Sequence, residues 1–354
     1  MAVYLINLLL VIFFGYALTY KNIYESNKKF YCGMIALQWI LISGLRHISV
    51  GADTEAYAYF FEDAKTTSWK NAFTGIFDYV FKGDDSEKDP GYLVFQKFCQ
   101  VFTDNYQIFL LLIALIFTGI MAVWIYRNSS MPVVSYIIYS TLFYSFFALT
   151  GHRQTIATAI IVFWGYKYIK ERKLIKFLIL AFLAFIIHKS SLVFIPFYFI
   201  ANIPITVPYV IIALIVIVIV VVFGRSFYGV VAEALGYTED QVAYDGGGAE
   251  FYALVLTLLC VITLALYVIY KDKTEKATHI FNITLLTLMS SLLVLQNQGF
   301  MRIQQYYSLF IMISFPEVIK SFREKDRLFV SVASMGVLIV YLFLQNPQYL
   351  FFWQ

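Results

Sequence analysis

Residues 106–126 read YQIFLLLIALIFTGIMAVWIY, a run of 21 residues without a charged side chain. A segment of this length spans the hydrocarbon core of a bilayer as an α-helix, because lipid offers no partners to backbone N–H and C=O groups. Similar runs fill the rest of the chain, which is 61% hydrophobic and 14% charged, against roughly 25% charged in soluble domains. The sequence therefore predicts an all-α polytopic integral membrane protein and indicates no nucleic-acid-binding surface.

The apolar runs predict about twelve transmembrane helices within a single transmembrane domain, 1–354. The predicted spans are 2–20, 30–46, 106–126, 131–150, 153–170, 174–187, 189–201, 207–224, 251–270, 278–298, 303–320 and 327–345. A further run, 91–103, is too short to cross comfortably and carries its apolar side chains on one helical face. It is predicted to lie on the membrane surface.

The distribution of basic residues predicts how these helices are oriented. With the N-terminus outside, sixteen of the 26 Lys and Arg residues fall in cytoplasmic loops, as the positive-inside rule requires. Segment 47–105 is then a large external loop, in which 69–81 forms another amphipathic interfacial helix. Segment 225–250 is predicted to be a second external loop.

Charged side chains at four helix ends are the candidates for function. A charge at membrane depth costs free energy, and residues that carry one are commonly functional. On the predicted topology all four places lie on the external face. They are Arg46 with Asp53 and Tyr57 after it, His152 with Arg153 and Gln154, His188 with Lys189, and Arg302. Arginine forks suit phosphate or diphosphate groups, and histidine titrates near neutrality, as a general base needs.

These residues also have structural explanations. An Arg at a helix end commonly anchors the membrane interface, and a single His in an apolar helix commonly serves packing. Asp53 and Glu55 form an acidic pair suited to a metal ion, although such pairs are common on solvated loops. Cys32, Cys99 and Cys260 lie far apart in or beside apolar stretches, which favours packing over metal or redox chemistry.

The order of the candidate residues resembles the EpsG family of Wzy-type polysaccharide polymerases. The family's first external motif looks like Arg46, Gly51, Asp53, Thr54 and Tyr57. Its second and third motifs look like Arg153 with Gln154, which open a helix, and Phe185 with His188, Ser190 and Ser191, which close the next. The similarity extends over essentially the whole chain in helix count, motif order and motif placement.

The resemblance implies a GT-C-like enzyme of the bacterial cytoplasmic membrane that joins undecaprenyl-diphosphate-linked oligosaccharide repeat units on the external face, yielding exopolysaccharide, capsule or O-antigen. The growing chain would pass from its lipid diphosphate to the non-reducing end of a new unit. Such a transfer needs positive charge for the departing diphosphate and a base for the acceptor hydroxyl. The expected partners are this substrate, membrane lipid, a flippase and a chain-length regulator, and the reaction requires no metal or other cofactor.

The resemblance gives each candidate residue a hypothetical role. Arg153 and Arg302 clamp the diphosphate, and Arg46 assists them. His188 is the catalytic base, and Asp53 orients the acceptor or a cationic neighbour. The other predicted contacts to diphosphate or sugar come from Tyr57, His152, Gln154 and Lys189.

Three other functions are compatible with the same residues. A flippase or transporter of the lipid-linked oligosaccharide would carry charges along a path through the bundle, whereas here they gather at one face. A metal-dependent glycosyltransferase that uses a lipid-phosphate sugar would employ Asp53 and Glu55. A purely structural membrane protein would not need several arginines on the external face.

Overall fold

A computed structural model describes residues 1–19, 25–83, 88–234, 249–269 and 275–354. These residues form helices, with no β-strand among them, and one isolated antiparallel bridge joins Arg46 to Phe351. The bridge ties the segment after the second helix to the C-terminal segment, since the His47 N–H donates to the Leu350 carbonyl at 2.9 Å. The all-α prediction is therefore confirmed for the part of the chain that is described.

The helices in chain order are α1 Ala2–Thr19, α2 Glu25–Gly44, α3 Thr54–Thr66, α4 Trp69–Phe81, α5 Pro90–Gln100, α6 Tyr106–Asn128, α7 Pro132–Phe147, α8 152–170, α9 Leu174–Ile187, α10 Ile195–Ile200, α11 Val207–Ala234, α12 Ala249–Ile269, α13 Glu275–Val294, α14 Met301–Ser308, α15 Ile311–Ser321 and α16 Glu324–Gln345. Two of them contain a π-helical turn, at Tyr139–Phe143 in α7 and at Ala159–Trp164 in α8. A π turn accommodates one residue more than an α turn.

The contacts within the chain define two compact units. The first unit comprises Met1–Lys189 and Glu324–Gln354, and the second comprises Ser190–Arg323. The first unit contains Arg46, Asp53, His152, Arg153 and His188. Arg302, Ser190 and Ser191 belong to the second.

Six of the described helices are long and apolar enough to cross a membrane. They are Ala2–Thr19, Tyr106–Asn128, Val207–Gly224, Ala249–Leu266, Lys276–Val294 and Glu324–Gln345. Each coincides with a predicted span, which confirms those six spans as helices. Shorter apolar helices cover Pro132–Phe147, Leu174–Ile187 and Lys189–Ile200, whereas the predicted span 303–320 is interrupted between α14 and α15. The total of twelve and the GT-C-like arrangement stay predictions.

The predicted external loop 47–105 contains three helices, of which the sequence predicted α4 and α5 but not α3. Helix α4 buries Ala72 and Tyr79 and exposes a row of aromatic side chains. The exposed row consists of Trp69, Phe73, Phe77 and Phe81. Such a row fits a helix that lies in the membrane surface. In the predicted second loop, α11 continues to Ala234, and residues 235–248 lie outside the described part.

Close backbone contact between α5 and α9 fixes the surroundings of Asp89, which immediately precedes α5. A Cβ atom at Gly91 would lie 2.7 Å from the carbonyl oxygen of Ile186 in α9. Because backbone atoms occupy this space, a larger residue would push the two helices apart. Gly91 therefore sets the distance between the start of α5 and the end of α9.

Replacing Gly91 by alanine is expected to lower the free energy of unfolding by roughly 1–3 kcal/mol, the usual cost of overpacking. The matched control is Gly33→Ala in α2, where a Cβ would meet no atom within 4 Å. Thermal unfolding of the purified proteins in one detergent measures the difference. If Gly91→Ala unfolds at the same temperature as Gly33→Ala, the close approach of α5 and α9 is not required for stability.

Candidate active site

Asp89 lies at the centre of a cluster that joins three elements of the first unit. It is the N-cap residue of α5, adopts a left-handed backbone conformation with φ of 61°, and is only 3% exposed. Its Oδ2 accepts hydrogen bonds from His188 Nδ1 and Arg153 Nη1, both at 3.2 Å, and its Oδ1 accepts one from the Lys189 N–H at 3.3 Å. The start of α5, the start of α8 and the end of α9 thus meet at one carboxylate.

His188 is held in an orientation that suits a general base. The residue follows α9 with an extended backbone, φ of −159°, which carries its side chain out of the helix. An ionised carboxylate can only accept, so the proton of the neutral imidazole lies on Nδ1 and the lone pair lies on Nε2. Among the described residues Nε2 has no hydrogen-bond partner, although it is buried. The lone pair of this nitrogen is therefore not used by another described residue, as a proton acceptor requires.

The electrostatics of the cluster keep Asp89 ionised. Burial by itself raises the pKa of the carboxyl group, but the hydrogen bond from His188 and the charge of Arg153 outweigh burial and hold the pKa below its usual value. At neutral pH the group is therefore a carboxylate that accepts from both neighbours. An ionised partner of this kind stabilises the imidazolium that forms when His188 takes a proton.

Arg153 is fixed by aromatic rings as well as by Asp89. Its guanidinium carbon lies 5.7, 5.2 and 5.4 Å from the ring centres of Tyr57, Phe60 and Tyr92, within the range of cation–π attraction. Nη1 also lies 3.4 Å from the carbonyl oxygen of Lys88. A guanidinium held on several sides keeps its remaining N–H groups in a fixed direction, which suits recognition of an anion.

Arg46 is buried inside the fold, with 1% exposure. Its Nη2 donates to Nε2 of His152 at 2.7 Å, its Nε donates to the Val50 carbonyl at 3.3 Å, and its Nη1 donates to the Ser43 carbonyl. A guanidinium keeps its charge at neutral pH even in a poorly hydrated site. The geometry therefore favours a positioning role for Arg46, which orients His152, over direct contact with a diphosphate.

The other residues of the first motif position the turn that precedes Arg153. Gly51 has φ of 97°, and a Cβ there would lie 1.9 Å from the Leu149 carbonyl oxygen, so only glycine fits. The Thr54 hydroxyl lies 3.1 Å from the same oxygen. The Tyr57 ring stacks on His152 at 4.3 Å between centres. Much of the Arg46, Gly51, Thr54, Tyr57 pattern is thus explained by support for the start of α8.

The remaining candidates occupy different surroundings. Asp53 is exposed at the N-cap of α3, and Gln154 is buried in α8. Lys189 adjoins the cluster, with its Nζ 6.0 Å from the ring centre of Tyr79. Arg302 lies in α14 of the second unit, so its role stays a prediction. Within the described ranges no group of three or more His, Cys, Asp or Glu side chains is arranged to hold a metal ion.

The sequence did not single out Asp89, nor the Phe60 and Tyr92 rings beside Arg153. The signal for Asp89 was Asp followed by Pro90 at the start of an apolar helical stripe, the pattern of an N-cap before a first-turn proline. Asp89 is, however, one of four carboxylates within 84–89, and the pattern marks a helix start without indicating partners. Tyr92 has no charged neighbour in the chain and resembles any other aromatic residue of the stripe.

The EpsG family model matches residues 29–352, nearly the whole chain. No curated protein and no solved structure matches this chain. The matched region includes every residue of the Asp89 cluster and all three motifs.

Proposed function

This chain belongs to the EpsG family, and we propose that it is a polysaccharide polymerase that joins oligosaccharide repeat units carried on undecaprenyl diphosphate. The observation that carries the proposal is the Asp89, His188 and Arg153 cluster, in which a buried carboxylate orients an imidazole beside a fixed guanidinium. We propose the bacterial cytoplasmic membrane as its location, with the cluster facing outside. A flippase and a chain-length regulator are the proposed protein partners.

The proposed reaction uses the free nitrogen of His188. The acceptor sugar hydroxyl gives its proton to Nε2 while its oxygen bonds to the anomeric carbon of the donor chain. The bond between that carbon and the diphosphate oxygen breaks, and the electron pair leaves with the diphosphate. Asp89 stabilises the imidazolium formed in this step, because its carboxylate accepts the Nδ1–H bond at 3.2 Å.

Arg153 is proposed to stabilise the negative charge that develops on the departing diphosphate. Its Nη1 is engaged by Asp89 and the Lys88 carbonyl, and the guanidinium retains three further N–H donors, one on Nε and two on Nη2. Lys189 follows His188 directly and adds a second cation next to the cluster. Charge stabilisation by fixed donors is commonly the largest contribution to catalysis of this type.

Asp53 is proposed to contact the acceptor sugar, because it is exposed and lies four residues before Tyr57 at the start of α3. The role of orienting a cationic neighbour fits Asp89 better, since Asp89 has Arg153 at 3.2 Å. Asp53 is thus proposed to contact the acceptor, and Asp89 is proposed to orient Arg153. Substitution of each carboxylate by asparagine distinguishes the two roles.

Deleting the gene for this chain is expected to abolish long polysaccharide and to leave single repeat units on the lipid carrier. The units should be accessible from outside, because transport across the membrane precedes polymerisation. Gel analysis of polymer length and the access of a membrane-impermeant lectin to intact spheroplasts measure both properties. Units that accumulate but stay inaccessible would identify a flippase, and unchanged polymer length would exclude both functions.

A further inference from the structure

A groove of about 820 Å³ lies between the last turns of α6 and α8, in the first unit. It is remote from the Asp89 cluster. Helix α6 begins at Tyr106, whose hydroxyl donates to the Thr54 carbonyl at 3.0 Å, and it ends 23 residues later at Asn128. At 1.5 Å per residue the two ends are about 33 Å apart, so the groove and the cluster lie at opposite ends of a membrane-length helix.

The mouth of the groove is positively charged. Arg127, Lys167 and Lys170 line it together with a single carboxylate, Glu171. That carboxylate is engaged by Lys173, which is outside the lining, at 2.7 Å, and its other oxygen lies 3.9 Å from Lys167. Three cations against one shared anion leave a positive field where the helices end. On the predicted topology this end faces the cytoplasm, where anionic phospholipid headgroups are found.

A buried asparagine holds one of the three cations at the mouth of the groove. The Lys170 ammonium donates to Oδ1 of Asn128 at 2.8 Å, and Asn128 is only 8% exposed. The same ammonium lies 5.1 Å from the ring centre of Tyr166. Lys170 is therefore held in place by α6 and α8 together, and all three cations, Arg127, Lys167 and Lys170, are exposed at the rim.

The interior of the groove is lined mainly by apolar side chains of α6 and α8. A Cβ atom at Gly119 would meet no atom within 4 Å, so the missing side chain leaves open space along α6. Val123 is 48% exposed and Trp164 is 50% exposed beside it. Trp is the side chain that favours the depth of the headgroups, which places the groove where a lipid headgroup joins its acyl chains.

We propose that this groove binds an anionic phospholipid. The headgroup phosphate contacts Arg127, Lys167 and Lys170, and one acyl chain runs along Gly119 and Val123. The volume falls within the range that holds a drug-sized ligand, roughly 300–1,000 Å³, which is sufficient for a headgroup and the first part of a chain. A phospholipid fits better than a soluble anion because the apolar wall continues from the charged mouth.

The charge half of the proposal is tested on the full chain in mild detergent. Phosphatidylglycerol and phosphatidylcholine are titrated separately, and bound lipid is counted by native mass spectrometry. The Arg127→Gln, Lys167→Gln double variant is expected to bind phosphatidylglycerol about 30-fold more weakly, on the basis of the attraction that each basic residue near an anionic surface contributes. The control is Lys29→Gln, Lys325→Gln, which removes the same charge from exposed positions elsewhere and should change binding less than about threefold.

The apolar half is tested without a change of charge. Gly119→Leu fills the space along α6 and is expected to weaken phosphatidylglycerol binding, whereas Gly33→Leu places the same side chain where a Cβ meets nothing and should not. Preferential binding of phosphatidylglycerol that is lost in the Gly119 and Arg127/Lys167 variants supports the site. Equal binding of the two lipids by the wild type, or equal losses in variant and control, would overturn it.

Discussion

Replacing His188 by alanine is expected to lower the rate of polymerisation about 10²- to 10⁴-fold, the usual contribution of a general base. The loss should appear in kcat, because the imidazole takes a proton only as the bond forms and contributes little to ground-state binding. Purified protein in liposomes, supplied with a lipid-diphosphate-linked repeat unit, allows the rate per molecule to be measured.

Two further histidine variants make this result interpretable. His188→Gln keeps a donor for Asp89 but has no basic nitrogen, so it should be stable and equally slow. His47→Ala serves as the control, because the His47 side chain lies beside Ser49 at 2.8 Å, away from the carboxylate. If His188→Ala and His188→Gln both retain the wild-type rate, His188 is not the base and the proposed reaction fails at its first step.

Replacing Asp89 by asparagine is expected to reduce the polymerisation rate about 100-fold or more, because His188 and Arg153 lose the carboxylate that orients them. The same substitution leaves Arg153 partly buried without its counter-charge. Removal of one partner from a buried ion pair costs roughly 3–5 kcal/mol, and the exposure of Arg153, 15%, places the cost at the lower end. A decrease in unfolding temperature should therefore accompany the decrease in rate.

The controls for Asp89 separate position from charge. Asp63→Asn removes a carboxylate from an exposed position of α3 and should change neither rate nor unfolding temperature. Asp53→Asn tests the sequence-based assignment, in which Asp53 contacts the acceptor, and should raise KM while the unfolding temperature stays constant. A wild-type rate in Asp89→Asn, with a large loss in Asp53→Asn, would move the orienting role back to Asp53.

The helices were predictable where composition alone determines them. The uncharged run at 106–126 has no alternative to a helix in lipid, and α6 covers Tyr106–Asn128. The amphipathic pattern at 69–81 likewise predicts α4 because its aromatic residues recur at helical spacing. By contrast, the interruption after Ser308 and the π turns depend on packing against neighbouring helices, and no local sequence signal distinguishes them from continuous α-helix.

The sequence also predicted part of the candidate site, namely the charged residues that lie between apolar helices. Arg153 and His188 stand out because a charge between two apolar helices is costly and therefore conspicuous. Asp89 lies in a polar loop, where a carboxylate is unremarkable, and only the fold brings it to the ends of α8 and α9. Arg46 was correctly located at a helix end, but the direction of its side chain, inward to His152, is a property of packing.

The π turn at Ala159–Trp164 determines where α8 can change in length without moving Arg153. An α-helix turns by about 100° and advances 1.5 Å for each residue, and the extra residue of a π turn is absorbed without disturbing either end. A single-residue deletion within 159–164 would restore regular α winding and leave the guanidinium of Arg153 near Asp89, whereas a deletion in the regular turn that follows Arg153 would rotate the guanidinium by about 100° and shift it by about 1.5 Å. The π turn is therefore the part of α8 where the loss of one residue should disturb the Asp89 cluster least.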